Sequence, residues 1–480
     1  MQMGYFYKDL AQDLRKQIEQ GLYLPGQKLP GVRELGKQRG LSIATVLAAY
    51  RLLEDDGYLE PKSRSGFFVK ARREVKKIEP LTVKADIQPC SVSGQEIVLA
   101  MSKAATDPNC VKLGAAVPAP NFLPVSAVEK ALASAAKRRE RIFSYELAGG
   151  APELRLQIAR RMAETGYVTT PEDVIVTNGC QEALTIALRA TTKPGDVIAI
   201  ETPTFYGLLQ VIDSLGLKPI EIPTDPVNGI SLEAMQLAVD SFDLKACVLI
   251  PNFSNPLGYL MSDERKLALI KLLAEKNIPL IEDDTYGDLG FSSKRPQSFL
   301  ALSPQSNIIY CSTYSKTLSP DLRVGWIVAP HYKQKVEYLK FVSNLASSSV
   351  SQLAVADILG SGKYERYVRH ARVEYSHSVD RMLGAIERYF PSDTRVSEPK
   401  GGFVLWVEMP KDINSFVLAG NALKQGVSIA PGPVFSPSQR YQNFMRLSCA
   451  RLWDARMESA LKILGKLMVP DSKGLSLVAG

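Results

Sequence analysis

At 480 residues the chain is longer than one ordinary domain, so two or three domains are expected. No run approaches the roughly 20 apolar residues that span a bilayer. The start, Met1-Gln2-Met3-Gly4-Tyr5-Phe6, has no basic stretch ahead of an apolar one, which predicts a cytosolic protein. Six scattered cysteines without a C-x-x-C pair, and three histidines without an H-E-x-x-H helix, speak against disulfide scaffolds, zinc sites and His-based metal catalysis. The net charge of +8 is unevenly placed. Residues 1–77 carry 15 Lys and Arg against 9 Asp and Glu, so +6 of it sits on a small N-terminal piece. A basic end on a nearly neutral body points to a nucleic-acid partner.

Tyr7, Leu10, Ala11, Leu14 and Ile18 recur at helical spacing and predict a helix over 7–20 that stops at Gly21. A Pro/Gly turn leads to a second short helix, 32–38, ended at Gly40. Ser42 is a good N-cap for a third helix reaching Asp56, with Val46, Ala49, Tyr50 and Leu53 as its apolar face. Tyr58-Leu59-Glu60 and Gly66-Phe67-Phe68-Val69 read as two strands around the turn Pro61–Ser65. Three short helices and a hairpin make a winged helix-turn-helix. In that geometry the third helix enters the major groove and the hairpin reaches the neighbouring backbone or minor groove.

Residues 1–70 resemble the GntR-type winged helix along their whole length. The resemblance is carried by Leu29-Pro30-Gly31-Val32-Arg33-Glu34-Leu35, Leu41-Ser42-Ile43-Ala44-Thr45-Val46, the run Ala49 to Tyr58, and Gly66-Phe67-Phe68-Val69. It implies operator binding, with Arg33, Ser42, Thr45 and wing residue Arg64 as DNA contacts. Ile43 stands where that family often has arginine. It can touch a thymine methyl instead, or base readout is weaker here. Residues 71–95 mix charge, Pro, Ser, Gln and Gly without a steady period and read as a flexible linker.

From residue 96 to 480 short apolar runs alternate with polar turns and helix-like segments. The runs are 174–176, 197–200, 247–250, 278–281, 308–310 and 324–328. This predicts an α/β domain around a mainly parallel sheet. Ligands of such sheets gather beyond the carboxyl ends of the strands. The first run leads into Thr177-Asn178-Gly179-Cys180-Gln181, where a freed backbone and a helix start suit a phosphate. Phe205, after the second, can stack on a flat ring or fill the core. Asn255, after the third, can donate to a ring hydroxyl or simply make an Asn-Pro turn. Glu282-Asp283-Asp284-Thr285-Tyr286 follows the fourth, and a buried carboxylate there needs a cationic partner. Cys311 to Gly325 brings hydroxyls around Lys316, then Arg323. A lysine so placed can condense with an aldehyde, and an arginine fork can clamp a phosphate.

These five motifs, in this order, resemble fold-type I pyridoxal phosphate enzymes of the aspartate aminotransferase family. The likeness implies a large parallel-rich sheet domain with a smaller α+β C-terminal subdomain. It implies that Lys316 forms the Schiff base and Asp283 pairs with the pyridine nitrogen. Tyr286 and Asn255 would hold the ring hydroxyl and Phe205 would stack on the ring. Gly179, Cys180, Gln181, Thr313, Ser315 and Arg323 would form the phosphate cup. Tyr145 would reach a neighbouring subunit's phosphate, and Arg446 would bind a substrate carboxylate. A GntR-type winged helix joined to such a domain resembles the MocR group of transcription regulators. That implies a homodimer whose internal aldimine on Lys316 senses an amino compound or pyridoxal phosphate itself. Two other readings stay open: a working aminotransferase that kept a DNA module, which uses the same residues, and a DNA-binding protein whose large domain is a bare dimerisation scaffold.

Overall fold

The structure is a computed structural model. It describes residues 6–469 apart from 25, 56, 57, 63, 64, 70–78, 95–97, 99–106, 108, 148 and 293. The chain divides into two compact units, residues 1–78 with 379–390, and residues 79–378 with 391–480.

In the small unit the expected helices form as α1 (Phe6–Glu19), α2 (Val32–Arg39) and α3 (Ile43–Asp55). Gly40 ends α2 in the left-handed conformation that glycine adopts without strain, at φ 64°. Ser42 Oγ accepts the Thr45 N–H at 3.1 Å, as an N-cap should. β1 (Leu59–Lys62) and β2 (Gly66–Val69) pair antiparallel, Leu59 opposite Val69 and Lys62 opposite Gly66. β1 thus takes in Pro61 and Lys62, which the sequence assigns to the turn; a ribbon edge tolerates the missing proline N–H. Leu10, Leu14, Leu35, Val46, Ala49, Tyr50, Leu53, Leu59 and Val69 close a separate core. Burying each of the larger aliphatic chains contributes about 1.5–3 kcal/mol. The Tyr50 hydroxyl is satisfied by the Pro30 carbonyl at 2.7 Å.

The large unit is built on an eight-stranded sheet. Its strands lie in the order Val174–Thr177, Gly325–Val328, Ile308–Thr313, Leu280–Asp283, Leu244–Leu249, Val197–Thr202, Lys218–Asp225 and Gly229–Ile230. Successive residues feed two different cores. Ile175, Ile198, Ile200, Ala246, Val248, Ile281 and Ile309 belong to one, and Val174, Val176, Ala199, Cys247, Leu249, Leu280 and Ile308 to the other. A sheet covered on both faces explains why its strands read as unbroken apolar runs. Six strands run parallel; Gly325–Val328 and Gly229–Ile230 run antiparallel. The alternation in the sequence does not distinguish Gly325–Val328 from its neighbours. Its reversal follows from the connection 314–324, which holds only the short turn Pro320–Leu322. A parallel return needs a crossover of about a dozen residues or more, usually a helix. A second, four-stranded antiparallel sheet carries Arg395–Val396, Val404–Glu408, Phe444–Ser448 and Ala430–Pro431.

Residues 79–94, which composition reads as part of a flexible linker, lie extended on the large unit. The Leu81 N–H donates to Glu408 at 2.9 Å, Cys90 to the Pro219 carbonyl at 3.0 Å, and Ser93 to the Pro437 carbonyl at 3.2 Å. Arg440 adds a clasp, giving Nη1 to the Lys84 carbonyl at 2.9 Å and Nε to Glu221 at 3.3 Å. These partners are remote in sequence, so local composition could not reveal them. No described helix is long and apolar enough to cross a membrane.

Candidate functional site

The strand Leu280–Asp283 sorts three successive acids by direction. Side chains alternate across a strand, so Glu282 and Asp284 project to one face and Asp283 to the other. Glu282 accepts the Phe299 N–H at 2.9 Å. Asp284 meets Arg295 at 2.5 Å, Asn252 at 2.9 Å and the Tyr310 hydroxyl at 2.7 Å. These two acids have structural partners that the sequence reading did not anticipate. Asp283 is different. Its Oδ1 accepts the Thr285 N–H at 3.0 Å, the Thr285 hydroxyl at 2.6 Å and the Cys180 thiol at 3.4 Å. Burial raises its pKa, and no cation among the described residues forms an ion pair with it.

Lys316 occupies the loop after the neighbouring strand, Ile308–Thr313. Its Nζ donates to the Ala116 carbonyl at 2.9 Å. Desolvation, then the charges of Arg446 and Arg323, pull its pKa down to about 8, with Asp283 opposing them. The structure thus places Asp283 and Arg323 close enough for their charges to act on the lysine. Around Arg323 lie several of the residues expected to form the phosphate cup. Arg323 Nη2 donates to the Asn178 carbonyl at 2.9 Å and Nη1 to Ser315 Oγ at 3.5 Å. Thr313 Oγ1 lies 2.9 Å from Ser315 Oγ. Gly179, at φ 84°, precedes the helix Cys180–Thr191; a Cβ there would sit 2.5 Å from Arg323 Nη2, so only glycine allows this approach. Gln181 is exposed on the helix's first turn.

Arg446 comes from the second sheet and is fully buried. Its Nη1 donates to Asn255 Oδ1 at 3.1 Å and its Nη2 to the Gly114 carbonyl, while Nε has no hydrogen-bond partner. The guanidinium also lies 5.1 Å from the Phe435 ring and 5.7 Å from that of Tyr206. The Tyr286 hydroxyl interacts with Asn255, and burial raises its pKa further above the ordinary tyrosine range. Phe205 is half-buried and touches Tyr206, with ring centroids 4.9 Å apart. Tyr145 stands apart from this group, 74% exposed beside Phe143 at 84%. The carbonyls of Gly114 and Ala116, and the rings of Tyr206 and Phe435, escaped the sequence reading. The two carbonyls carry no side-chain signal at all.

In the small unit Arg33, Ser42 and Ile43 are exposed and Thr45 is half-buried. The Ser42 and Thr45 hydroxyls lie 2.8 Å apart, so both already serve the cap of α3. Arg64 lies outside the described residues.

Residues 6–69 match the gntR family of bacterial regulatory proteins, and residues 108–464 match aminotransferase class I and II. Two proteins of Escherichia coli named as uncharacterized HTH-type transcriptional regulators, YjiR and YdcR, are each 36% identical over 464 residues. Each alignment covers 96% of this chain and 98% of the relative. The chain belongs to the MocR-type transcription regulators. Its large unit is also similar to α-aminoadipate aminotransferase LysN of Thermus thermophilus, solved as a complex with N-(5'-phosphopyridoxyl)-L-leucine. That match has a TM-score of 0.72 at 27% identity and covers 78% of this chain and 94% of the other. The MocR-type architecture thus joins a DNA-binding winged helix to an aminotransferase fold in one polypeptide.

Proposed function

We propose that this regulator holds pyridoxal phosphate on Lys316 and uses the site to sense an amino compound. The observation that carries the reading is Asp283, a buried carboxylate near Lys316 whose donors are all neutral. A buried charge without a cation is costly, and a protonated ring nitrogen would supply one. The cup fits in part: the Cys180 N–H at the helix start, the Ser315 hydroxyl, the Gln181 side chain and the Arg323 fork suit a phosphate, whereas the Gly179 N–H donates to the Thr177 carbonyl at 2.9 Å and the Thr313 hydroxyl to the Val324 carbonyl at 2.7 Å, so these two would line the cup without donating to it. When bound, the cofactor supplies an aldehyde that reacts reversibly with amines and a ring that draws electrons.

Lys316, with its pKa near 8, is neutral in a useful fraction of molecules at neutral pH and can act as nucleophile or proton carrier. Asp283 would hold the ring nitrogen's proton, and Tyr286 with Asn255 would receive the ring hydroxyl. Phe205 would lie against the ring. Arg446, already oriented by Asn255 and Gly114, would take the carboxylate of an amino-acid effector in a bidentate pair. The exposed Tyr145, together with Phe143 and Leu147, suits burial in a homodimer that brings this tyrosine to the partner's phosphate. Arg33, Ser42, Thr45 and Arg64 would contact the operator. An effector acts on DNA binding only through its different affinity for the DNA-competent and incompetent states.

The test is spectroscopic and uses the full chain. Adding pyridoxal phosphate should produce the absorbance of a lysine-bound cofactor, and Lys316→Ala should abolish it. Retention of covalent uptake by Lys316→Ala would overturn the assignment. Amino acids titrated into the loaded protein should change both that spectrum and operator affinity. One observation favours a second reading, an active aminotransferase: Lys316, the buried Asp283 and the buried Arg446 are the groups that transamination would use as nucleophile, ring-nitrogen partner and carboxylate anchor. Rapid multiple turnover with an amino acid and a 2-oxo acid would establish it, and its absence would leave the sensor alone.

A further inference from the structure

Asp283 is held from one side only. The Thr285 hydroxyl, the Thr285 N–H and the Cys180 thiol all converge on Oδ1, while no described hydrogen bond reaches Oδ2. Cys180 comes from the helix start beside the proposed phosphate cup, and Thr285 from the loop just past the strand. Together they join the two ends of the site through one carboxylate oxygen.

We propose that Thr285, assisted by Cys180, is the positioning residue that keeps Asp283 ionised and leaves Oδ2 for the ring nitrogen of the cofactor. This deepens the cofactor reading above and rests on it. The physical reason is direct. A carboxylate in this buried place is driven toward its neutral form, and a neutral acid cannot pair with a cationic ring. Donors to the charged form oppose that drift. The 2.6 Å hydroxyl bond is the shortest of the three and has the largest effect; the thiol is a weaker donor. Placing every donor on one oxygen also fixes the rotation of the carboxylate. Cys180 therefore has a task for its side chain as well as for its backbone, which accounts for a thiol in a phosphate cup. The other ionisable side chains near Asp283 are Glu201, Asp284, Tyr286, Cys311 and Lys316. Only Lys316 among them is cationic.

The test uses the full-length protein and pyridoxamine 5'-phosphate, whose binding is followed by calorimetry across pH. This probe has the ring and the phosphate but no aldehyde, so condensation with Lys316 does not enter. Its own titrations are common to all variants and cancel in affinity ratios. Affinity should fall as pH drops through the value at which Asp283 takes a proton. In Thr285→Val that fall should begin about one pH unit higher, making binding roughly tenfold weaker than wild type at the acid end. Near the alkaline end the two should converge. Thr285→Ser should restore the wild-type profile, and Cys180→Ala should shift it in the same direction by less. An affinity loss in Thr285→Val that is the same at every pH, or a profile that does not move, would overturn the inference. Asp283→Asn is the separate control: if it binds the probe as well as wild type, the cofactor reading itself fails.

Discussion

Asp283 and Asp284, neighbours at the end of the strand Leu280–Asp283, are buried acids treated in opposite ways. On one face Asp284 and Asp288 share Arg295, at 2.5 and 2.7 Å, and Arg161 joins Asp288 at 3.1 Å. The Tyr364 hydroxyl adds a further bond to Asp288 at 2.6 Å. On the other face Asp283 has only neutral donors. The first arrangement is complete within the protein and holds loop to strand. The second has no cation in hydrogen-bonding contact among the described residues. The difference sets a carboxylate with a cationic partner in the protein beside one with neutral donors only, in adjacent residues, and it can be tested from both sides.

The largest effect should come from removing the cation on the complete face. Arg295→Met leaves Asp284 and Asp288 short of their shared partner, with Asp284 fully buried. Breaking a buried ion pair this way costs about 3–5 kcal/mol, and chemical denaturation of the cofactor-free protein measures it. A loss below about 1 kcal/mol would mean that the network is solvated and the contrast is wrong. Asp283→Asn is the converse. It removes a charge that burial disfavours, so stability of the cofactor-free protein should be unchanged or higher. Binding of the cofactor should weaken by about 2–5 kcal/mol, the usual cost of deleting one partner of a buried charge pair. Denaturation and spectroscopic titration on the same sample separate the two outcomes.

A third test uses pH. Glu201 is fully buried and accepts the Tyr259 hydroxyl at 2.6 Å and the Ile250 N–H at 3.0 Å. Burial, only partly offset by these bonds, pushes its pKa up to about 8. The folded state therefore binds this proton more tightly than the unfolded state does. Stability should fall as pH rises from the ordinary glutamate range to about 8, by at most about 1.4 kcal/mol per pH unit. Asp288 has the opposite sign. The charges of Arg161 and Arg295 outweigh burial and hold it well below the usual carboxylate range. Its contribution is present above the unfolded value near 3.9 and is lost only as pH falls toward the depressed folded value. Glu201→Gln should flatten the slope between about pH 5 and 8 and leave the acid limb unchanged.

Much of this was legible in the sequence, for identifiable reasons. The winged helix was readable because Val46, Ala49, Tyr50 and Leu53 recur with helical period and are all buried. The candidate site residues could be picked out because each strand end carries its own short motif, and Lys316, Asp283 and Arg323 need no long-range partner to be noticed. What remained hidden depends on distance along the chain. Arg295, Tyr310 and Asn252 lie beyond the local window of Asp284, so its structural role was invisible while its charge was plain. The hold on residues 79–94 comes from Pro219, Glu408 and Arg440, none of which a linker-like composition can indicate. Backbone acceptors such as Ala116 leave no trace in residue type.

The smallest effect tests whether the complete face is as redundant as its geometry suggests. Tyr310 donates its hydroxyl to Asp284 Oδ2 at 2.7 Å, and Arg295 Nη2 lies within 3.4 Å of the same hydroxyl. Phenylalanine at this position deletes the bond to Asp284 and the long one from Arg295, and strands no partner. Asp284 Oδ2 keeps Arg295, and Oδ1 keeps Asn252. The loss should be about 1 kcal/mol, the net value of one hydrogen bond, with cofactor affinity unchanged. Thr285→Val makes the equivalent deletion on the other face and should leave stability nearly intact while moving the pH profile of cofactor binding. If Tyr310→Phe also moved that profile, the two faces would be coupled electrostatically through the strand, and the division between structural and ligand-binding carboxylates would have to be redrawn around Asp284.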